Sequence, residues 1–280
     1  MKIGCHISIA GGIQNAPERA SDLGCEVMQI FTRSPQGGRS AKIGKNVANE
    51  FKENCRKYRI ADTYVHAPYY INLASANNRI RYGSVSAIKE ELERASIIGA
   101  KYVMTHLGSS KELGKKTGLK KVIEMLKKVL INYNGSAKLL LENSAGAGSI
   151  IGGNLKELSE VIKAVDSSAI AGICLDTQHS FASGYDWTDF KNTLLRVKEE
   201  IGIGNVKLIH ANDSLTECGS NKDRHAHIGE GLIGLNAFEK IVALAQKENV
   251  DMILETRHDK VEKDIELLKE MREKAKGGKK

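Results

Sequence analysis

The chain has 280 residues, 41% of them hydrophobic and 27% charged, enough to bury a large core in either one barrel or two ordinary domains. No apolar run approaches the roughly 18 residues that a helix needs to cross a bilayer, and the first residues pass straight into a strand-like pattern without a hydrophobic leader, so no membrane-spanning helix is expected and the protein is read as cytoplasmic. The net charge of +8 favours a polyanionic partner, because basic side chains displace counterions from phosphates, although part of the excess lies in the run Lys269 to Lys280.

Eight short apolar, β-branched runs alternate with stretches of helical period, the pattern of parallel strands joined by crossover helices. Ile3 to Ser8 precedes a helix near Pro17 to Leu23, Val27 to Thr32 precedes Val47 to Tyr58, Thr63 to Ala67 precedes Val85 to Ile98, and Tyr102 to Leu107 precedes Lys120 to Asn132. Lys138 to Asn143 leads to Leu155 to Val165, Gly172 to Thr177 to Trp187 to Ile201, Val206 to Asn212 to Leu235 to Glu248, and Met252 to Thr256 to Lys260 to Lys274. No composition break or Pro-rich linker divides them. One domain over residues 1–275 is expected, with a basic tail at 276–280. Eight units in this length predict a single-domain α/β fold, an eight-stranded parallel β/α (TIM) barrel, since closure leaves no edge strand to protect. Five cysteines (Cys5, Cys25, Cys55, Cys174, Cys218) are scattered without a C-x-x-C pair. Their odd number argues against a disulfide framework, and reduced thiols are expected.

Active sites of such barrels lie at the C-terminal ends of the strands. The last positions of the successive runs are His6, Thr32, His66, His106, Glu142, Asp176, His210 and Glu255, nearly all metal-ligating or acid-base side chains. His179 follows the sixth run, and Asp223 and His225 lie in the loop after the seventh. In an extended segment Asp223 and His225 point the same way, roughly 7 Å apart along the chain, as two ligands of one ion would. Any one of these residues has an ordinary structural explanation as a cap or a satisfied polar group. Jointly they do not: four carboxylates (Glu142, Asp176, Asp223, Glu255) in one pocket repel one another unless cations neutralise them. Five imidazoles among them (His66, His106, His179, His210, His225) select borderline-soft ions, and zinc fits where magnesium or calcium does not. Nine ligands suit about three ions sharing a bridging carboxylate; three Zn²⁺ against four carboxylates leave about +2, a charge that attracts a phosphodiester.

At these residues the sequence resembles the endonuclease IV family of apurinic/apyrimidinic endonucleases. The likeness runs through Gly4-Cys5-His6-Ile7-Ser8, Gly11-Gly12, His66, Leu141-Glu142-Asn143-Ser144-Ala145-Gly146, Leu175-Asp176-Thr177-Gln178-His179, Ile209-His210-Ala211-Asn212-Asp213 and Leu254-Glu255-Thr256. Its most specific stretch is Asp223-Arg224-His225-Ala226-His227-Ile228-Gly229-Glu230-Gly231. The resemblance implies three zinc ions per chain. One would be held by His66, His106 and Glu142, a second by Glu142 as bridge with Asp176, His210 and Glu255, and a third by His179, Asp223 and His225. It implies hydrolysis of the phosphodiester on the 5′ side of an abasic nucleotide, with Glu142 or Glu255 as the catalytic residue handling the proton of the attacking water. The products would be a 3′-hydroxyl and a 5′-deoxyribose phosphate, and blocked 3′ ends would also be cleaned. The implied partner is double-stranded DNA with abasic sites or blocked 3′ ends, bent and with the abasic nucleotide turned out of the stack; a monomer without membrane attachment is expected. Tyr69, Tyr70, Arg33 and Gln36 match positions expected to touch DNA.

The loop after the second run departs from the family. Where the family carries an Arg or Gln and a Trp or other large residue, this chain reads Thr32-Arg33-Ser34-Pro35-Gln36-Gly37-Gly38-Arg39-Ser40, predicting a more mobile loop and weaker insertion into the base stack. Three histidines are left over: His6, either plainly structural or supporting the ligands or facing DNA; His227, expected to hold the Asp223 and His225 loop; and His258, expected at the surface. A sugar isomerase or epimerase of the xylose isomerase-like barrels would share the architecture, but its carboxylate-rich Mg²⁺ or Mn²⁺ shell does not call for five histidines. A non-catalytic DNA-binding barrel would account for the charge and leave the ligand cluster without a purpose.

Overall fold

The structure, a computed structural model, describes residues 1–38 and 41–277. Strands β1 (Ile3–Ile7), β2 (Val27–Ile30), β3 (Thr63–His66), β4 (Tyr102–Thr105), β5 (Lys138–Glu142), β6 (Ile170–Asp176), β7 (Val206–His210) and β8 (Asp251–Leu254) close into a parallel barrel, each beside its sequence neighbours and β8 beside β1. Helices α1 (Ala16–Asp22), α2 (Lys45–Lys57), α3 (Asn78–Ile98), α4 (Lys115–Leu130), α5 (Leu155–Val165), α6 (Thr177–Ala182), α7 (Phe190–Glu200), α8 (Leu235–Glu248) and α9 (Val261–Gly277) connect and surround the strands. The eight-stranded parallel barrel expected from the sequence is therefore present.

Strand alternation divides the core into two layers. Val27, Tyr64, Met104, Leu140, Cys174, Leu208 and Ile253 fill the barrel interior. The intervening residues pack outward against the helices in the larger cluster. Gly4 is required by this closure, because a Cβ there would lie 1.7 Å from the Val27 carbonyl oxygen. At Gly172 the pairing of β5 with β6 shifts register; its φ of 152° and the Asn205 carbonyl 2.2 Å from a hypothetical Cβ leave room for glycine alone.

Several elements begin where apolar periodicity gives no signal. The α3 helix starts at Asn78, ahead of the expected Val85, because the Asn77 side chain accepts from the backbone N–H groups of Arg79 and Ile80. The one-turn α6 was not expected; the Asp176 carboxylate, which accepts from His179 N, caps it. The loop after β7 folds into an antiparallel ribbon, Asp213–Ser214 against His225–Ala226. The last helix runs to Gly277, two residues into the expected tail, and residues 278–280, with Arg39 and Ser40 of the loop after β2, lie outside the described residues.

Candidate metal centre

The parity of the barrel interior builds this site. Two residues on from interior-facing Tyr64, Met104, Leu140, Cys174, Leu208 and Ile253 come His66, His106, Glu142, Asp176, His210 and Glu255, so the same strand faces that fill the barrel present these six groups at its top. Register sets them side by side, Asp176 opposite His210 and Glu142 opposite Cys174. The short α6 helix adds His179, and the ribbon adds Asp223 and His225.

The nine predicted ligands form one contiguous cluster. His66 Nε2 lies 3.0 Å and His106 Nε2 3.6 Å from Glu142 Oε2. His210 Nδ1 lies 2.9 Å from Glu142 Oε1 and 3.2 Å from Glu255 Oε2. His179 Nε2 and His225 Nε2 lie 3.4 and 3.3 Å from the Asp223 carboxylate, and Asp176 Oδ2 lies 3.9 Å from both His210 Nδ1 and His225 Nε2. Ligand atoms lie within 4.8 Å of one another in the groups His66, His106, Glu142; Glu142, Asp176, His210, Glu255; and Asp176, His179, His225. Glu142 joins the first group to the second, and Asp176 joins the second to the third.

Three of the five imidazoles are oriented from behind. His66 Nδ1 meets the Ala67 carbonyl at 2.6 Å, His179 Nδ1 the Asn143 carbonyl at 3.1 Å, and His210 Nε2 the Gln29 amide oxygen at 2.7 Å. A nitrogen that donates to a carbonyl leaves the other ring nitrogen with its lone pair toward the carboxylates, the arrangement of a ligating histidine. His225 Nε2 and His106 Nδ1 are buried without a hydrogen-bond partner among the described residues. These features fit a bound metal ion.

Gln29 was missed in the sequence, which offered Thr32 as the end of the second strand. That assignment is corrected: β2 stops at Ile30, and Thr32, an odd number of residues from interior-facing Val27, turns outward to Glu91 and Arg94 of α3. Gln29, two residues after Val27, takes the interior place and donates to Glu255 at 2.6 Å as well as accepting from His210. Asn212 was also missed as a support; it donates to Asp176 Oδ2 at 2.7 Å and accepts from the Glu255 backbone N–H. Cys174 places its sulfur in a group with Glu142 and His210.

Burial alone would raise the Glu142 carboxyl, but His106 and His210 beside it hold it well below the usual range. Burial opposes charge on His179, yet Asp176 and Asp223 outweigh it and push that imidazole up to about 10. Burial likewise opposes charge on Asp223, and His179 brings its carboxyl down to about 2. The cluster thus sets anions, from fully buried Glu142 and Asp176 to exposed Asp223, to bind whatever cations enter it, protons included.

Above the cluster opens a cavity of about 360 Å³ reached by His6, Tyr69, His106 and Glu255. A second of about 390 Å³ shares Tyr69, His106, His179 and Asp223 with it. Tyr69 is 68% exposed and packs edge-on against Phe31, while half-exposed Tyr70 shares a third cavity with Gln36. Arg33, expected beside DNA, is placed differently: its guanidinium is buried, paired with Glu91 and, at 2.9 Å, with Glu90. Its charge is committed to anchoring the loop on α3. His6 contacts Gln29 through Nδ1 at 3.0 Å, and burial lowers its pKa to about 4. His227 pins the ribbon loop to α9 through Asp264 at 2.7 Å. His258 is exposed and lies at the cavity mouth.

Residues 17–274 match the family model described as xylose isomerase-like TIM barrel. The chain is 39% identical to a probable endonuclease 4 of Halothermothrix orenii, over 97% of this chain and 99% of that one. The chain belongs to the endonuclease IV family. A probable endonuclease 4 of Cenarchaeum symbiosum is 35% identical over 97% of this chain and 99% of its own. Endonuclease IV from Thermus thermophilus superposes with a TM-score of 0.87 at 28% identity, covering 98% of this chain and all of that one. A D-tagatose 3-epimerase-like protein reaches a TM-score of 0.76 at 23% identity, a likeness of fold alone. Among the described residues no helix is long and apolar enough to cross a membrane.

Proposed function

We propose that this member of the endonuclease IV family is a zinc-dependent DNA repair enzyme that hydrolyses the phosphodiester 5′ to an abasic site, leaving a 3′-hydroxyl and a 5′-deoxyribose phosphate. The observation that carries the reading is the convergence of nine ligand side chains, five imidazoles and four carboxylates, beneath one open cavity. Two atoms each about 2.0–2.1 Å from a tetrahedral zinc lie about 3.4 Å apart, and the His66, His106, His179 and His225 nitrogens lie 3.0 to 3.6 Å from their carboxylate neighbours.

Three ions would be held by His66, His106 and Glu142; by Glu142, Asp176, His210 and Glu255; and by His179, Asp223 and His225. Bound zinc supplies Lewis acidity, which lowers the pKa of water and offsets charge on the phosphate and the departing oxygen. Glu142 and Glu255 are the catalytic carboxylates that accept and hold the proton of the attacking water, and Gln29 keeps Glu255 aimed. Tyr69, Tyr70 and Gln36 stand on the rim, where they fill the space left beside an extruded nucleotide. Blocked 3′ ends present the same phosphodiester to the same groups. The protein would act as a monomer in the cytoplasm.

The test is incision of a duplex carrying one synthetic abasic site, before and after chelation. A cut leaving a 3′-hydroxyl, lost on chelation and restored by zinc, is expected. Zinc-loaded protein that leaves the abasic duplex intact would overturn the proposal.

A further inference from the structure

We propose that Cys5 and Cys25 are a disulfide-forming pair, a covalent modification site on the helix-facing side of the barrel that takes hydrogen peroxide as its oxidant. In sequence all five cysteines read as separate thiols. The fold brings two of them together, with Sγ atoms 3.5 Å apart.

Cys5 is central in β1 and 1% exposed; Cys25 is 7% exposed just before β2. The backbone around both is fixed: Cys25 N–H donates to Ala20 O and Glu26 N–H to Ile3 O, each at 2.8 Å. A disulfide needs about 2.05 Å between sulfurs, so the remaining gap is about 1.5 Å, shared between two side chains. Both sulfurs belong to the layer between strands and helices, so closure leaves the interior-facing metal ligands in place.

The two thiols differ in a way that assigns their parts. The hydrogen bond shared with Cys5 holds the Cys25 thiol below its ordinary range against the effect of burial, with the Lys269 ammonium adding to it; that ammonium donates to Gly24 O at 2.6 Å. The same contact and burial push Cys5 up. Cys25, the more exposed of the two sulfurs and the one whose chain neighbour Gly24 holds the Lys269 ammonium, is therefore the nucleophile. Its thiolate attacks one peroxide oxygen, breaking the O–O bond and leaving a sulfenic acid and a hydroxide, which takes up the proton that the Cys25 thiol had lost and becomes a water. The Cys5 sulfur then attacks the sulfenic sulfur, the S–S bond forms, and the hydroxyl departs with the Cys5 proton as a second water. Two thiols are oxidised and one peroxide is reduced to two waters.

Closing the ring between residues 20 apart restricts the unfolded chain and ties β1, which carries His6, to the entry of β2, which carries Gln29. Metal-loaded protein would be treated with hydrogen peroxide, alkylated under denaturing conditions and mapped without reduction. The expected result is a peptide joining Cys5 to Cys25, two hydrogen atoms lighter than its two halves together, and a Tm higher by roughly 5–10 °C. Cys25→Ser and Cys5→Ala should each lose the cross-link and the Tm rise while remaining folded. Exposed Cys218 reports that oxidant was present. If Cys218 is oxidised while Cys5 and Cys25 both remain alkylatable, or if Cys25 is found joined to any other cysteine, the proposal is overturned.

Discussion

Glu142 touches His66 and His210 through different oxygens, with His106 beyond, so one carboxylate links three imidazoles. Glu142→Gln keeps the shape and removes the charge that the two proposed ion sites would share. Zinc per chain, read by elemental analysis, should fall by more than one ion, with incision reduced by at least about a thousandfold. Gln29 acts at one remove, orienting His210 and Glu255. Gln29→Ala is expected to weaken zinc affinity by about 10–100-fold, as loss of a supporting hydrogen bond does, measured by competition with a coloured chelator. Unchanged affinity would show that the two ligands hold their orientation without it. Gln29 had a legible signal: an amide inside the otherwise apolar Val27-Met28-Gln29-Ile30. It was obscured because the run of strand-forming residues continues to Thr32 in sequence, and an odd offset puts the wrong side chains on the interior.

Among the elements, the loop after β2 combines a rigid root with a glycine tip. Arg94 holds Ala41 O and Thr32 Oγ1 at 2.7 Å each, whereas Gly37 and Gly38 adopt φ of 106° and 103°. Replacing residues 36–40 with a stiffer segment containing Arg and Trp should tighten equilibrium binding to abasic duplex by about tenfold, since less ordering entropy is lost on binding. An unaltered dissociation constant would remove the loop from the recognition surface. At the opposite end of the barrel, Glu26 clasps α9 to β1, taking Arg272 at 2.6 and 3.0 Å and the Ile3 N–H at 2.9 Å. Burial works against its charge, but the Arg272 hydrogen bond leads in holding its pKa below the usual value. The folded pKa is the lower one, so the clasp stabilises fully above the unfolded value of about 4.3 and is lost as pH falls through the folded value. The Tm gap between the parent and Glu26→Gln should therefore be constant near neutrality and close in acid. A gap independent of pH would mean that the carboxylate charge is not what holds α9.

For the whole molecule, ions held by side chains from six strands, α6 and the ribbon, as proposed, would bind the folded chain and not the unfolded one. An ion present at about 100 times its Kd contributes about 2.7 kcal/mol, so chelation should lower Tm by roughly 5–10 °C per ion removed, recovered on adding zinc back. A Tm indifferent to chelation would separate the cluster from the stability of the fold. By itself the sequence determined the eight alternating units, their closure, and the nine side chains that the fold gathers into one cluster, because strand periodicity and the chemistry of strand-end side chains are local properties that survive in one dimension. Tertiary structure alone decided that Gln29 and Asn212 stand behind the ligands, that Arg33 faces α3, and that Cys5 meets Cys25. Each of these depends on which face of a strand a residue occupies and on which neighbour the closed barrel puts there. A shift of one residue in a strand's end reverses the first, and only closure fixes the second.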